Sequence, residues 1–135
     1  VFGHDHPDTI GSMSNLAVLL RRTGELEQAE ELSRATVESA RNALPPGHPE
    51  LGSYLLEHGR TIHQMERFDK AASLVIESHE IVESSLGTEH PLTLSIIRQL
   101  VVIHDDWHAS EPEGGHDAKA AVYRGMLDDP DAVDG

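Results

Sequence analysis

The residue pair His-Pro stands at His6-Pro7, His48-Pro49 and His90-Pro91, each copy 42 residues from the next. A fixed period of that length is the mark of a repeat array, in which one supersecondary unit recurs and stacks on its neighbours. Arrays of this kind hold partners far more often than they do chemistry.

Between the His-Pro marks the apolar residues follow a helical period. Ile10, Met13, Leu16, Ala17 and Leu20 form one stripe. Thr23-Gly24 breaks it, and Leu26, Ala29, Leu32, Thr36, Val37 and Ala40 form a second, closed by Pro45-Pro46-Gly47. The second unit repeats the plan with Leu51, Leu55, Gly59 and Ile62, then Phe68, Ala71, Leu74, Val75, Ser78 and Val82. The third opens with Leu94, Ile97, Leu100 and Val101. The stretch from Trp107 to Asp117 then has a loop composition, and the next helix is predicted to begin at Asp117 or Ala118. Lys119-Ala120-Ala121 matches Lys70-Ala71-Ala72 at a spacing of 49, an insertion of about seven residues. The expectation is six helices in three consecutive antiparallel pairs at about 4–46, 47–88 and 89–127, with the inserted loop near 108–116. An acidic tail at 128–135 is expected to be disordered. Val1-Phe2-Gly3 resembles the middle of a repeat, since Leu86-Gly87 stands at the same place before the third His-Pro; on that reading the chain is part of a longer protein.

The His-Pro pair has a local role. A residue before proline is pushed out of the α region, and proline suits the first helical turn. The three histidines therefore read as helix-entry residues, with Asp8, Glu50 and Glu89 placing negative charge near the N-termini.

Composition narrows the function. The net charge of −14 repels phosphate backbones and anionic lipid, so neither nucleic acid nor membrane is an expected partner. The chain has no cysteine, which suits a reducing compartment, and a cytoplasmic location is the expectation. No cofactor is expected, because there is no Walker loop and no dinucleotide fingerprint. Nor is there a nucleophile motif, and adjacent carboxylates such as Asp105-Asp106 point apart on a helix. Glu25, Glu27, Glu30 and Glu31 read as solvated helix faces, and the chain is not expected to be an enzyme. His104 and His108 are spaced i, i+4, but the nearest third ligand, His116-Asp117, lies across the loop; no metal site is expected. The ten histidines are expected to titrate passively at the surface.

The residues Gly3-His4-Asp5-His6-Pro7-Asp8-Thr9-Ile10, then Asn15-Leu16-Ala17, then Gly24-Glu25-Leu26-Glu27-Gln28-Ala29-Glu30, resemble the tetratricopeptide repeat in the 42-residue form typical of kinesin light chains. The tail from Leu100 to Leu127 is similar to the end of tetratricopeptide regions appended to bacterial Ser/Thr protein kinases. The resemblance implies an all-α, right-handed superhelix of antiparallel helix pairs, an α-solenoid whose first helices line a concave groove for partner peptides. Ala17 and Gly59 fit the small-residue position where paired helices cross, and Ala29, Ala71 and Ala120 fit its counterpart. Val101 is larger there, which implies a splayed or irregular third pair. Carried over by position, the groove comprises Ser14, Asn15, Val18 and Arg22, then Leu56, Glu57, Arg60 and Gln64, then Arg98, Gln99, Val102 and Asp106. Asn15 and Gln99 would clamp a peptide backbone, whereas an ionised Glu57 cannot donate. The implied function is a protein- or peptide-binding scaffold, a module of a larger protein, taking extended peptides of both signs. The alternative is self-association of a larger signalling protein such as a bacterial Ser/Thr kinase, as a homodimer through Ile10, Met13 and Leu16 if these are partly bare.

Overall fold

The computed structural model describes residues 6–128. Val1-Phe2-Gly3 and, apart from Asp128, the acidic tail lie outside the described residues. Six helices follow one another: α1 (Pro7–Arg22), α2 (Leu26–Ala43), α3 (Pro49–Gln64), α4 (Phe68–Leu86), α5 (Pro91–Ser110) and α6 (His116–Asp128). Among the described residues there is no strand. The all-α expectation of three helix pairs holds.

Each His-Pro pair starts an odd-numbered helix. The imidazole Nδ1 of His6, His48 and His90 accepts the backbone N–H of Asp8, Glu50 and Leu92 at 3.1, 3.1 and 3.0 Å. Proline follows at the first helical position, where its missing N–H is no loss. Asp8 and Glu50 occupy the first turns, but Glu89 precedes the cap and lies outside the first turn of α5.

Each helix packs on those beside it in sequence, and the odd helices also touch, α1 with α3 and α3 with α5. The core is accordingly two clusters along the array. One gathers Ile10, Val37, Ala40, Leu51 and Leu55; the other gathers Ile62, Ala71, Val75, Ile96, Leu100 and Ile103; Leu74 packs against both. Ile10 is thus fully covered, contrary to the expectation of a bare start; Met13 is half-buried and Leu16 exposed.

The pairs close on small residues. Ala17, Ala29, Ala71 and Ala120 are all buried. A Cβ on Gly59 would collide with Val75 Cγ2 and stand 3.5 Å from the Ala71 carbonyl oxygen; one on Gly52 would collide with Val82 Cγ2. Ser78 Oγ uses the same close approach to donate to the Gly52 carbonyl at 2.6 Å.

The third pair departs from its predicted outline. Helix α5 does not stop at Trp107 but runs to Ser110, and the loop is confined to residues 111–115. The reason is Trp107, which continues the Leu100–Ile103–His104 face. It packs on the core and lies between Phe68, at a ring-centroid distance of 6.4 Å, and His116, at 3.8 Å. Those contacts favour helix where Glu-Pro-Glu-Gly-Gly further on does not. The pair is irregular, with a long α5 and an α6 that fully buries only Ala120.

Two substitutions separate crowding from propensity. Gly59→Ala should destabilise by ~1–3 kcal/mol, because Val75 is a stiff, buried, β-branched neighbour. Gly11→Ala, in α1 with nothing within 4 Å, should stabilise by ~0.5–1 kcal/mol. Urea denaturation measures both, and equal effects would contradict the close crossing. For the caps, His48→Ala should cost ~1 kcal/mol, with His48→Asn restoring most of it.

Candidate functional site

The contacts between odd-numbered helices form one wall, and a ladder of polar side chains runs across it. Arg21 Nη2 on α1 donates to Glu57 Oε2 on α3 at 3.2 Å. Arg60 Nη1 donates to the other Glu57 oxygen at 2.6 Å, and Arg60 Nε donates to Gln99 Oε1 on α5 at 3.4 Å. With its oxygen so used, the Gln99 amide donates to His63 Nδ1 at 3.0 Å. His63 Nε2–H is then free to donate to Asp106 Oδ2 at 2.6 Å. Two arginines and two carboxylates make the ladder neutral within a chain of net charge −14. Each bond is partly exposed, so each contributes only ~0.2–1 kcal/mol; together they fix the side chains of three helices relative to one another.

Of the twelve expected groove residues, Glu57, Arg60, Gln99 and Asp106 are brought together in this ladder. Asn15, Arg22, Gln64, Arg98 and Val102 are exposed, and Ser14 and Val18 are half-buried. Leu56 is a correction: it is 3% exposed and belongs to the core with Ile62 and Ile96, so it offers no groove surface. Two ladder members, Arg21 and His63, were missed. They stand 42 residues apart, and each lies one position before an assigned residue, Arg22 or Gln64. The repeat spacing could have found the pair.

The ladder ends at a cavity of about 1180 Å³ between the α3–α4 turn and the extra turn of α5. Its lining includes His63, Arg67, Phe68, Lys70, Asp106 and Trp107, an aromatic floor with charges of both signs. The turn itself needs Glu66 in the left-handed region, at φ 62°.

Other polar residues lie away from the wall. Glu30 is buried rather than solvated, 3.9 Å from Nε2 of His58 and 3.8 Å from Arg34. His58 sits between α2 and α3 without a hydrogen bond at either ring nitrogen. His104 donates from Nδ1 to the Leu100 carbonyl at 2.8 Å and packs against Trp107, His116 and Tyr123. It is therefore turned into the core, while His108 lies near Asp117 at 4.0 Å. Among the described residues no group of three or more His, Asp or Glu side chains could hold a metal ion.

The geometry has its counterpart in known proteins. Residues 9–50 match the family model described as tetratricopeptide repeat. Residues 9–50 are a tetratricopeptide repeat, and the chain is kinesin-light-chain-like in fold. Two solved structures of Podosopora anserina kinesin-light-chain nearly identical TPR-like repeats superpose on it. The first, a single-substitution form, has TM-score 0.68 and 19% identity over 94% of this chain and 60% of that one. The second has TM-score 0.66 and 20% identity over 91% of this chain and 58% of that one. The chain thus spans about three fifths of the length of these structures. No curated protein matches it. The tetratricopeptide fold is in general a protein-interaction scaffold, typically non-catalytic. Among the described residues, no helix is long and apolar enough to cross a membrane.

Burial holds the His58 and His104 imidazoles neutral below their ordinary value of 6.5, outweighing Glu30 for the one and the Leu100 carbonyl for the other. The unfolded chain protonates them first on acidification, so it binds more protons than the folded chain. The stability they contribute is complete above about pH 6.5 and is lost as pH falls through their lowered folded values. Melting temperature should drop as pH falls below about 6.5, and less steeply in a His58→Leu, His104→Phe double variant. An unchanged slope in that variant would assign the effect to other groups.

Proposed function

We propose that this chain is a docking module of a larger protein and that it holds an extended peptide along the wall of α1, α3 and α5. The observation that carries the reading is the position of Arg60. It binds Glu57 on its own helix and Gln99 on the next, at the middle of the wall, and is half-buried. A peptide carboxylate can replace Glu57 on the Arg60 guanidinium, which suits planar anions. Released Gln99 can then both donate to and accept from a peptide backbone. Released Glu57 favours a basic side chain on the same peptide. The partner is therefore a segment of both signs, and the acidic field of the chain favours those with a basic excess.

A display library of mixed-charge peptides should yield binders whose Kd, measured by fluorescence anisotropy, rises about tenfold or more in Arg60→Ala. Binding should also weaken as salt is raised. Peptides bound equally well by Arg60→Ala, or with no salt dependence, would contradict the docking mode. A second reading, self-association, is favoured by one specific observation, the exposure of Leu16 and Leu19 on α1.

A further inference from the structure

Helices α1 and α3 end 42 residues apart, at Arg22 and Gln64, and by the same step α5 would end at Asp106. It runs on through Trp107 to Ser110 instead. The cavity of about 1180 Å³ lies between these added residues and the α3–α4 turn, so the departure of the third unit from the repeat is what builds it.

The charges of the lining are unevenly shared. On the turn and the start of α4, Glu66 and Asp69 balance Arg67 and Lys70. On α5 and just beyond it, Asp106 and Glu111 are both acidic, so the lining as a whole has an excess of carboxylates. His63 takes only Oδ2 of Asp106, at 2.6 Å, which leaves Oδ1 open to a second donor. The Glu111 side chain is 65% exposed, with its carboxylate 3.8 Å from His116 Nε2. The floor is the half-buried rings of Phe68 and Trp107. His116 stacks on one face of Trp107 at 3.8 Å, and the rest of that ring is turned to Phe68 and the cavity. Carboxylates beside aromatic rings suit a planar cation. A guanidinium stacks on rings and donates two parallel bonds to a carboxylate, which an ammonium cannot do.

We infer that this cavity anchors an arginine side chain of the docked peptide. This rests on the docking reading of the α1–α3–α5 wall and adds the residue that sets the peptide's register. From Arg60 to Gln64, at the edge of the cavity, α3 rises about 6 Å. Residues two apart on an extended chain are separated by roughly 6.5–7 Å and point to the same side. The anchoring arginine therefore stands two positions from the carboxylate that binds Arg60.

Peptides selected by display against the full chain test this, with Trp107, its sole tryptophan, reporting from the cavity. Enriched peptides should carry Arg two positions from Asp or Glu, and binding should change the Trp107 fluorescence. Citrulline in place of that Arg keeps the shape and removes the charge; it should raise Kd about tenfold. Ala109 lines the cavity at an exposed helical position, so Ala109→Arg and Ala109→Gln should both keep the wild-type circular dichroism. Ala109→Arg should weaken the arginine peptide about tenfold and abolish the difference from its citrulline form, whereas the neutral Ala109→Gln should preserve that difference. Peptides that lose affinity in Arg60→Ala, yet bind Ala109→Arg unchanged and tolerate citrulline, overturn the arginine anchor and leave the docking reading standing. Peptides that need the arginine and the unaltered cavity but ignore Arg60→Ala overturn the docking mode and support the cavity as an arginine site. A selection that yields no peptide sensitive to either variant overturns both.

Discussion

The close crossing of each helix pair is the constraint on which the other features rest. With aromatic content at 4%, this chain cannot fill wide gaps between helices with large rings. It brings backbones together instead, at Ala17 and Ala29 in the first pair and at Gly59 and Ala71 in the second. Close pairing lets an even helix lie flush behind its partner and present its remaining apolar face to the next odd helix. The odd helices then come to lie side by side. Without that succession the Arg21–Glu57–Arg60–Gln99–His63–Asp106 ladder could not form, because its members come from three helices that touch only along the wall.

The same arrangement links stability to the proposed docking. The ladder is satisfied internally, so the wall is preorganised: for the proposed peptide its side chains are held in place beforehand, which reduces the ordering cost of binding. Its bonds are individually weak and partly exposed, so a partner with equivalent groups can exchange with them at small net cost. Strong interactions lie elsewhere, in the apolar clusters behind the wall.

Much of this was legible in the chain before any coordinates. The 42-residue recurrence located the pairs because a repeated unit must repeat its punctuation. His-Pro was read as helix entry, and the Nδ1 caps supply the hydrogen bond behind that reading. What composition misjudged was Trp107. A loop-forming stretch begins just after it, but the ring has a place between Phe68 and His116, and tertiary packing carried the helix one turn further. Leu56 was misplaced and Arg21 and His63 were missed for a common reason. Neighbouring residues on a helix point about 100° apart, and the stack's local phase decides which of two adjacent residues meets the next helix. Glu30 and His58 were hidden for another: a charged residue between two helices cannot be told from one on a solvated face until the second helix is in place.

Native-state hydrogen exchange on the chain at low concentration tests the central claim, that stability here is a sum over neighbours in a one-dimensional stack. The account predicts slowest exchange in α3 and α4, which lie furthest from both ends of the stack, with protection falling through α2 and α5 to α1 and α6. Protection that is uniform along the chain, or greatest in α1 or α6, would contradict it.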